Sequence, residues 1–238
     1  MKLLNQTWAF IPARSGSKSI KNKNLLKLNG IHLIGHSILF AKKLKKISKV
    51  VFSSDSKKYL KIAKKYNCDE AILRNKSLAK DNTEDIEVFY DYVMQLIIKK
   101  KELPKYFLHL RPTTPIRTVS NFNKAYKLFL KNEKRCSSLR SVFELSETSY
   151  KSMRIINNKL CSLLKRDFDM DKLNKPRQNF PTTYVANGEL DLIKTENILK
   201  KKLHGKKVLP FITSGFNSDI DDMNDFKKVS FYLNKNYK

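Results

Sequence analysis

Cysteine, acidic residues and long apolar runs are all scarce in this 238-residue chain. The three cysteines, Cys68, Cys136 and Cys161, are far apart and odd in number. That pattern excludes a disulfide framework and fits reduced thiols in a cytoplasmic protein. A chain of this length buries roughly 70–75% of its unfolded surface, so no covalent or metal staple is needed. No apolar stretch approaches the roughly 20 residues of a membrane span, and no membrane association is expected. The opening Met1–Ile11 has one lysine and no small-residue cleavage site, so it does not read as a signal peptide. Acidic residues number 22 against 49 basic ones, a formal charge of +27.

That charge invites a nucleic-acid partner, but its distribution argues otherwise. Only nine of the basic residues are arginine, and the lysines are scattered from end to end beside abundant Asn and Ile. Nucleic-acid surfaces cluster their basic residues on one face and interleave aromatics or arginine. A solvated, lysine-rich surface and no nucleic-acid partner is the expectation. Such a field still attracts small phosphate-bearing substrates.

Apolar runs and amphipathic stretches alternate along the chain. Strands are expected at Trp8–Ile11, Val50–Ser53, Ala71–Leu73 and Tyr106–Leu110. Helices are expected at Leu33–Ile47, near Ser56–Lys65, at Ile86–Lys100 and at Val119–Lys131. This βαβα order with short loops predicts an α/β protein with a doubly wound, mostly parallel sheet. From about 147 to 186 the periodicity lapses around Pro176 and Pro181. Strand character returns at Leu190–Ile193 and Val208–Ile212, and a helix is expected near Asp222–Leu233. The whole of 1–238 is read as one domain with an irregular inserted arm.

Two segments carry recognisable chemistry. The loop from Ile11 to Asn24 leaves the first strand at its carboxyl end, where open α/β sheets bind ligands. Its small residues let backbone N–H groups face an anion, while Arg14, Lys18 and Lys23 supply charge. It lacks the second glycine and the Gly-Lys-Ser/Thr ending of a P-loop, and it is not GxGxxG. The second segment, Ser218-Asp219-Ile220-Asp221-Asp222, places Asp219 and Asp221 on one side of an extended chain. Two such carboxylates suit Mg²⁺ alongside substrate phosphates; alternatively Asp221 or Asp222 caps the terminal helix. Asp55, at a strand tip, is either functional or a cap.

Together with Leu110–Arg117 and Lys175–Pro181, these segments resemble the acylneuraminate cytidylyltransferases, or CMP-sialic acid synthetases. The similarity covers nearly the whole chain and keeps the family's motif order. It runs from the IPAR-type loop (Ile11–Asn24) through Ser53-Ser54-Asp55, Arg74 with Leu78-Ala79-Lys80-Asp81, and Leu110–Arg117. It continues with Pro176-Arg177-Gln178, Asn187-Gly188 and Asp219-Ile220-Asp221.

The resemblance implies a Rossmann-like nucleotidyltransferase that couples CTP to a nine-carbon 2-keto sugar acid, releasing pyrophosphate. Ala13, Arg14, Ser17, Lys18, Lys23, Asn24 and Arg74 would bind the nucleotide. Arg111, Thr113, Lys151, Arg177, Asn187 and Asp191 would bind the sugar. Asp219 and Asp221 would hold Mg²⁺, and Arg14, Lys23 and Asp219 would carry catalysis. The family is dimeric, with the arm exchanged between protomers, so Lys151 and Arg177 would reach a partner's sugar site.

The sequence departs from the family in four places. Ser19 replaces a usual Gly and Lys21 a usual Pro, changes expected to alter loop stiffness. Arg111 stands where sialic-acid-specific members have Gln, and Asp191 where they commonly have Tyr. These two are expected to compensate each other and read a different nonulosonic acid, of legionaminic or pseudaminic type, or else to be solvent-facing drift. Among alternatives, a cytidylyltransferase for the eight-carbon acid Kdo is opposed by the Leu110–Arg117 segment. His32 and His36 lack the Glu of H-E-x-x-H and are expected to be ordinary helix residues, with His109 structural.

Overall fold

The alternation seen in the sequence becomes a seven-stranded sheet with helices on both faces. The computed structural model describes residues 3–164, 169–216 and 219–236. The chain begins with β1 (Leu3–Pro12), the short β2 (Lys27–Leu28) and β3 (Ile31–His32), and α1 (Leu33–Lys42). Next come β4 (Ile47–Ser54), α2 (Lys57–Lys65), β5 (Glu70–Leu73), α3 (Asp85–Ile98), β6 (Leu103–His109), α4 (Val119–Lys131) and β7 (Ser138–Glu144). A separate hairpin of β8 (Met153–Ile156) and β9 (Lys159–Ser162) precedes α5 (Met170–Leu173) and β10 (Tyr184–Lys194). The order ends with α6 (Thr195–Leu199), β11 (Val208–Ile212) and α7 (Met223–Asn236).

The sheet order is β11-β7-β10-β6-β1-β4-β5. Only β10 runs antiparallel to its neighbours, pairing with both β6 and β7. The mostly parallel, doubly wound fold expected from the sequence is present. Strand β1 is apolar on both faces because both faces are covered. Ala9 and Ile11 pack with Ile34, Ile38, Phe52, Phe122 and Phe129 on one side. Trp8 and Phe10 pack with Phe89, Val93, Phe107 and Ile198 on the other. Phe10 and Phe89 rings lie 4.4 Å apart and are fully buried, so truncating either to Ala would cost roughly 3–5 kcal/mol.

Element ends differ from the sequence expectation for local reasons. The expected helix Leu33–Ile47 stops at Lys42, because Ile47 is already paired with Thr7 in the sheet. Ser56, not Asp55, caps α2, its hydroxyl accepting from the Tyr59 N–H. Asp222 takes the capping part at α7, accepting from Asn224 and Asp225 N–H at 2.7 and 2.9 Å. Ser218 and residues 165–168 of the expected arm lie outside the described residues.

Two features position the site. From β1 the strand order runs to β4 and β5 on one side and to β6 on the other. This topological switch opens a crevice at the strands' carboxyl ends. A third apolar cluster, Ile20, Leu28, Leu33, Ile220, Val229 and Leu233, ties the loop after β1 to α7. Ile220 is fully buried there, which holds Asp221 at the crevice and Asp219 behind it. The separate β8–β9 hairpin leaves Met153, Ile155 and Leu160 exposed, Ile155 by 73%.

Candidate active site

The crevice holds a cavity of about 490 Å³. It collects Ala13, Arg14, Ser17, Lys18, Lys23 and Asn24 from the loop after β1, and Arg74 from the end of β5. Arg111 and Thr113 come from the end of β6, and Asp221 from the segment before α7. Residues over 200 positions apart in sequence thus face one space.

Backbone and side-chain hydrogen bonds hold the first loop open. Ala13 N–H donates to the Ser53 carbonyl at 2.9 Å. Asp55 accepts from both the N–H and the hydroxyl of Ser15, at 2.9 and 2.6 Å. Asp55 therefore anchors the loop. Asn24 donates through Nδ2 to the Arg14 carbonyl at 3.0 Å. The left-handed turn at Asn22, with φ 56°, leads into a 3₁₀ turn beginning at Lys23. Ser19, where the family has Gly, donates to the Asp221 carbonyl at 2.6 Å. Its hydroxyl fastens this loop to the acidic segment.

Charge in the cavity is arranged in opposed sets. Lys23 Nζ donates to the Ile220 carbonyl at 2.8 Å and meets Asp221 Oδ1 at 3.3 Å. Asp81 bridges Arg14 at 2.7 Å and Lys18 at 2.5 Å. Hydrogen bonds from these two cations hold its carboxyl below the usual range. Arg74 is 6% exposed, and its burial lowers the guanidinium pKa. Its Nε, together with Asn24 Oδ1, is buried without a hydrogen-bond partner. Buried polar groups are normally paired, so a donor and an acceptor stand available in the wall of the cavity.

The two aspartates of the acidic segment differ. Asp221 is exposed at the cavity, whereas Asp219 is half-buried behind it and accepts from Thr114 Oγ1 at 3.4 Å. Burial, with the neighbouring Asp221 charge, raises the Asp219 pKa. Ile220 N–H donates to the Thr113 carbonyl at 2.9 Å, joining this segment to the loop after β6.

Beneath the far wall lies a charged cluster. Arg111 donates to Asp191 at 3.0 Å and to Asp85 at 3.1 Å. The expected Arg111–Asp191 pair is thus formed, and Asp191 is fully buried rather than solvent-facing. Asp191 does not line the cavity, because β10 places it between His109 of β6 and Arg140 of β7. The partner that does line the cavity is Asp85, the first residue of α3. Sequence reading missed it because Glu84, Asp85 and Glu87 carry the acidic signature of a helix start. Glu84 and Glu87 do form a capping box.

Asn187 sits outside the cavity, donating to Thr213 Oγ1 and accepting from Glu189 N–H. It stabilises a break in the β10 register where Gly188 has φ +67°. A Cβ on Gly188 would come within 2.8 Å of Thr114 Oγ1, so glycine is required. Arg117 grips the same turn, donating to the Glu189, Gly188 and Arg111 carbonyls. Lys151 and Arg177, on the arm, are also off the cavity in this chain. Lys151 lies over the Phe180 ring and Arg177 pairs with Glu144. His32 bonds Tyr66 and His36 the Leu28 carbonyl. Among the described residues no cluster of three or more His, Cys, Asp or Glu forms a metal site.

Residues 8–153 match the family model described as Cytidylyltransferase. The chain belongs to the cytidylyltransferase family. This cytidylyltransferase is 31% identical over 223 residues to an N-acylneuraminate cytidylyltransferase of Escherichia coli O18:K1:H7. That match covers 92% of this chain and half of the longer E. coli protein. It is 29% identical over 225 residues to the CMP-N,N'-diacetyllegionaminic acid synthase of Campylobacter jejuni, covering 94% and 93% of the two. A solved CMP:2-keto-3-deoxy-manno-octonic acid synthetase complexed with CTP has the same fold, with a TM-score of 0.70. That superposition spans 97% of this chain and 99% of the other at 13% identity, a likeness of fold alone. No helix among the described residues is long and apolar enough to cross a membrane.

Proposed function

We propose that this cytidylyltransferase activates a nonulosonic acid with CTP, giving the CMP-sugar and pyrophosphate. The anomeric hydroxyl oxygen attacks the α-phosphorus, the bond to the bridging oxygen breaks, and pyrophosphate leaves. Little covalent chemistry is asked of the protein, so positioning and charge neutralisation dominate. The observation that carries the reading is the buried, unused pair Asn24 Oδ1 and Arg74 Nε beside a basic, small-residue loop. A polar, uncharged cytidine suits the pair, and a triphosphate suits Arg14, Ser17, Lys18 and Lys23. Thr113 and Arg111, on the opposite wall, face the sugar acid. The sugar class rests on the relatives, whose names specify acylneuraminate and legionaminic acids.

Asp219 and Asp221 fit a divalent cation such as Mg²⁺. They are two carboxylates close enough for Asp221 to raise the Asp219 pKa, Asp221 lining the cavity and Asp219 behind it. Bound there with the phosphates, the ion would act as a Lewis acid. Lys23 holds Asp221 meanwhile and turns its ammonium toward the same place.

In this reading the enzyme works as a cytoplasmic homodimer. The exposed apolar face of the β8–β9 hairpin is covered by a second copy, and Lys151 and Arg177 complete that copy's sugar site. A bidentate Arg is the better clamp for a carboxylate. The test is pyrophosphate release with CTP, Mg²⁺ and a panel of nonulosonic acids and Kdo. Release with at least one nonulosonic acid, and not with Kdo, is expected. Release with none, or with Kdo alone, overturns the proposal.

A further inference from the structure

Arg111 stands where the family resemblance implies Gln in sialic-acid-specific members, and its surroundings define what it can recognise. Its guanidinium lines the cavity wall next to Thr113, with the side chain 24% exposed. Of its five N–H donors, one at each terminal nitrogen is engaged, by Asp191 at 3.0 Å and Asp85 at 3.1 Å. These carboxylates come from different elements, β10 and the first turn of α3, so the guanidinium plane is gripped from two sides. Asp191 is fully buried and is also approached by Arg140 at 3.7 Å. Within ion-pair distance two carboxylates thus face two guanidiniums, and Arg74 and Arg117 act on them at longer range.

We infer that Asp85 and Asp191 are positioning residues that fix Arg111 as a hydrogen-bond donor for an uncharged acceptor on the sugar acid. That acceptor is an acylamino carbonyl or a hydroxyl rather than the carboxylate. The inference rests on the proposed function and deepens it. A guanidinium flanked by two carboxylates keeps its remaining donors but has little net charge to offer. Asp85 also faces the cavity, so an anion placed on Arg111 would meet a like charge beside it. Lys18 and Lys23 are each paired with one carboxylate, Asp81 and Asp221, whereas Arg111 is paired with two. The anchors also remove rotational freedom from a side chain with many rotamers, so less entropy is lost when the sugar is bound. This modifies the expectation that Arg111 and Asp191 read the sugar jointly. Arg111 touches it, and Asp191 acts through Arg111.

The test is steady-state kinetics of the full-length protein and its variants, reading the KM for the sugar and for CTP separately, with melting curves as a control for folding. Arg111→Gln raises the sugar KM roughly tenfold, the value of a hydrogen bond to a charged donor. It leaves the CTP KM within about twofold. Asp191→Asn and Asp85→Asn each raise the sugar KM in the same direction, and neither adds to the effect in the Arg111→Gln background. The sign at Asp85 is decisive. If Arg111 clamped the sugar carboxylate, removing the neighbouring negative charge would lower the sugar KM, and that result overturns the inference. Additive effects of the aspartate variants in the Arg111→Gln background, or unchanged sugar KM values, also overturn it. If Asp191→Asn does not fold, the partly exposed Asp85→Asn decides alone. Wild-type protein inert with every nonulosonic acid sinks the proposed function and this inference with it, whereas an active wild type with indifferent variants sinks the inference only.

Discussion

The crevice at the carboxyl ends of β1, β5 and β6 and the separate hairpin of β8 and β9 are finished to different degrees. Around the crevice, side chains from positions 13 to 221 converge, and nearly every charge there has a partner within the chain. On the hairpin, Ile155 is 73% exposed and Met153 and Leu160 nearly half exposed. The arm's cations Lys151 and Arg177 are spent on Phe180 and Glu144. One region is closed by its own chain and the other leaves an apolar face open. Under the proposed function that difference divides the reaction: the chain would build its own nucleotide site, and a second copy would supply part of the sugar site.

A large loss of turnover tests the finished half. Lys23 is 12% exposed and tied to the acidic segment. Lys23→Ala should lower kcat by roughly 10²–10³-fold, the scale of one lost electrostatic contact in a transition state. Turnover within threefold of wild type would remove Lys23 from the machinery.

The unfinished half is broken next. Ile155→Asp should shift the protein from dimer to monomer in sedimentation and abolish sugar turnover. CTP binding by calorimetry should stay within a few-fold. A monomeric wild type, or a dimeric and active variant, would refute the role given to the hairpin.

A third measurement probes how tightly the crevice floor is closed. Burial lowers the His109 pKa to about 4, against 6.5 when exposed; Arg111 and His204 push the same way, while Asp85 and Asp191 oppose. The folded protein thus resists a proton that the unfolded chain accepts. Stability is complete above pH 6.5 and is lost as pH falls toward 4, by about 3 kcal/mol in total. Denaturation from pH 7 to 4 should show a smaller loss in His109→Gln than in wild type, the rest coming from His32, His36 and His204, whose pKa values burial also lowers; equal slopes would contradict it.

The smallest effect is at Asp81, which sits across Arg14 and Lys18 where the triphosphate would lie. Asp81→Asn frees both cations and should lower the CTP KM about two- to threefold, a surface-pair magnitude. A raised KM would show that Asp81 serves the bound state instead.

Much of this was legible in the sequence, for identifiable reasons. Strand–helix alternation gave the sheet, and the Ile11–Asn24 loop announced itself by small residues and charge at a strand end. Long-range pairings were harder. Nothing local indicates that β10 runs antiparallel, or that this orientation buries Asp191 between His109 and Arg140. Asp85 was hidden because an acidic helix start explains it without reference to Arg111. The part Asp55 plays was open until the fold brought Ser15 to it across 40 residues.

Mixing two inactive variants tests the central division most directly. Arg14→Ala disables the half built within the chain and Arg177→Ala the half lent to a partner. Random reassociation makes half the dimers mixed, each with one intact site of two, so activity should return to about a quarter of wild type. Activity no higher than the sum of the two variants alone would contradict the account.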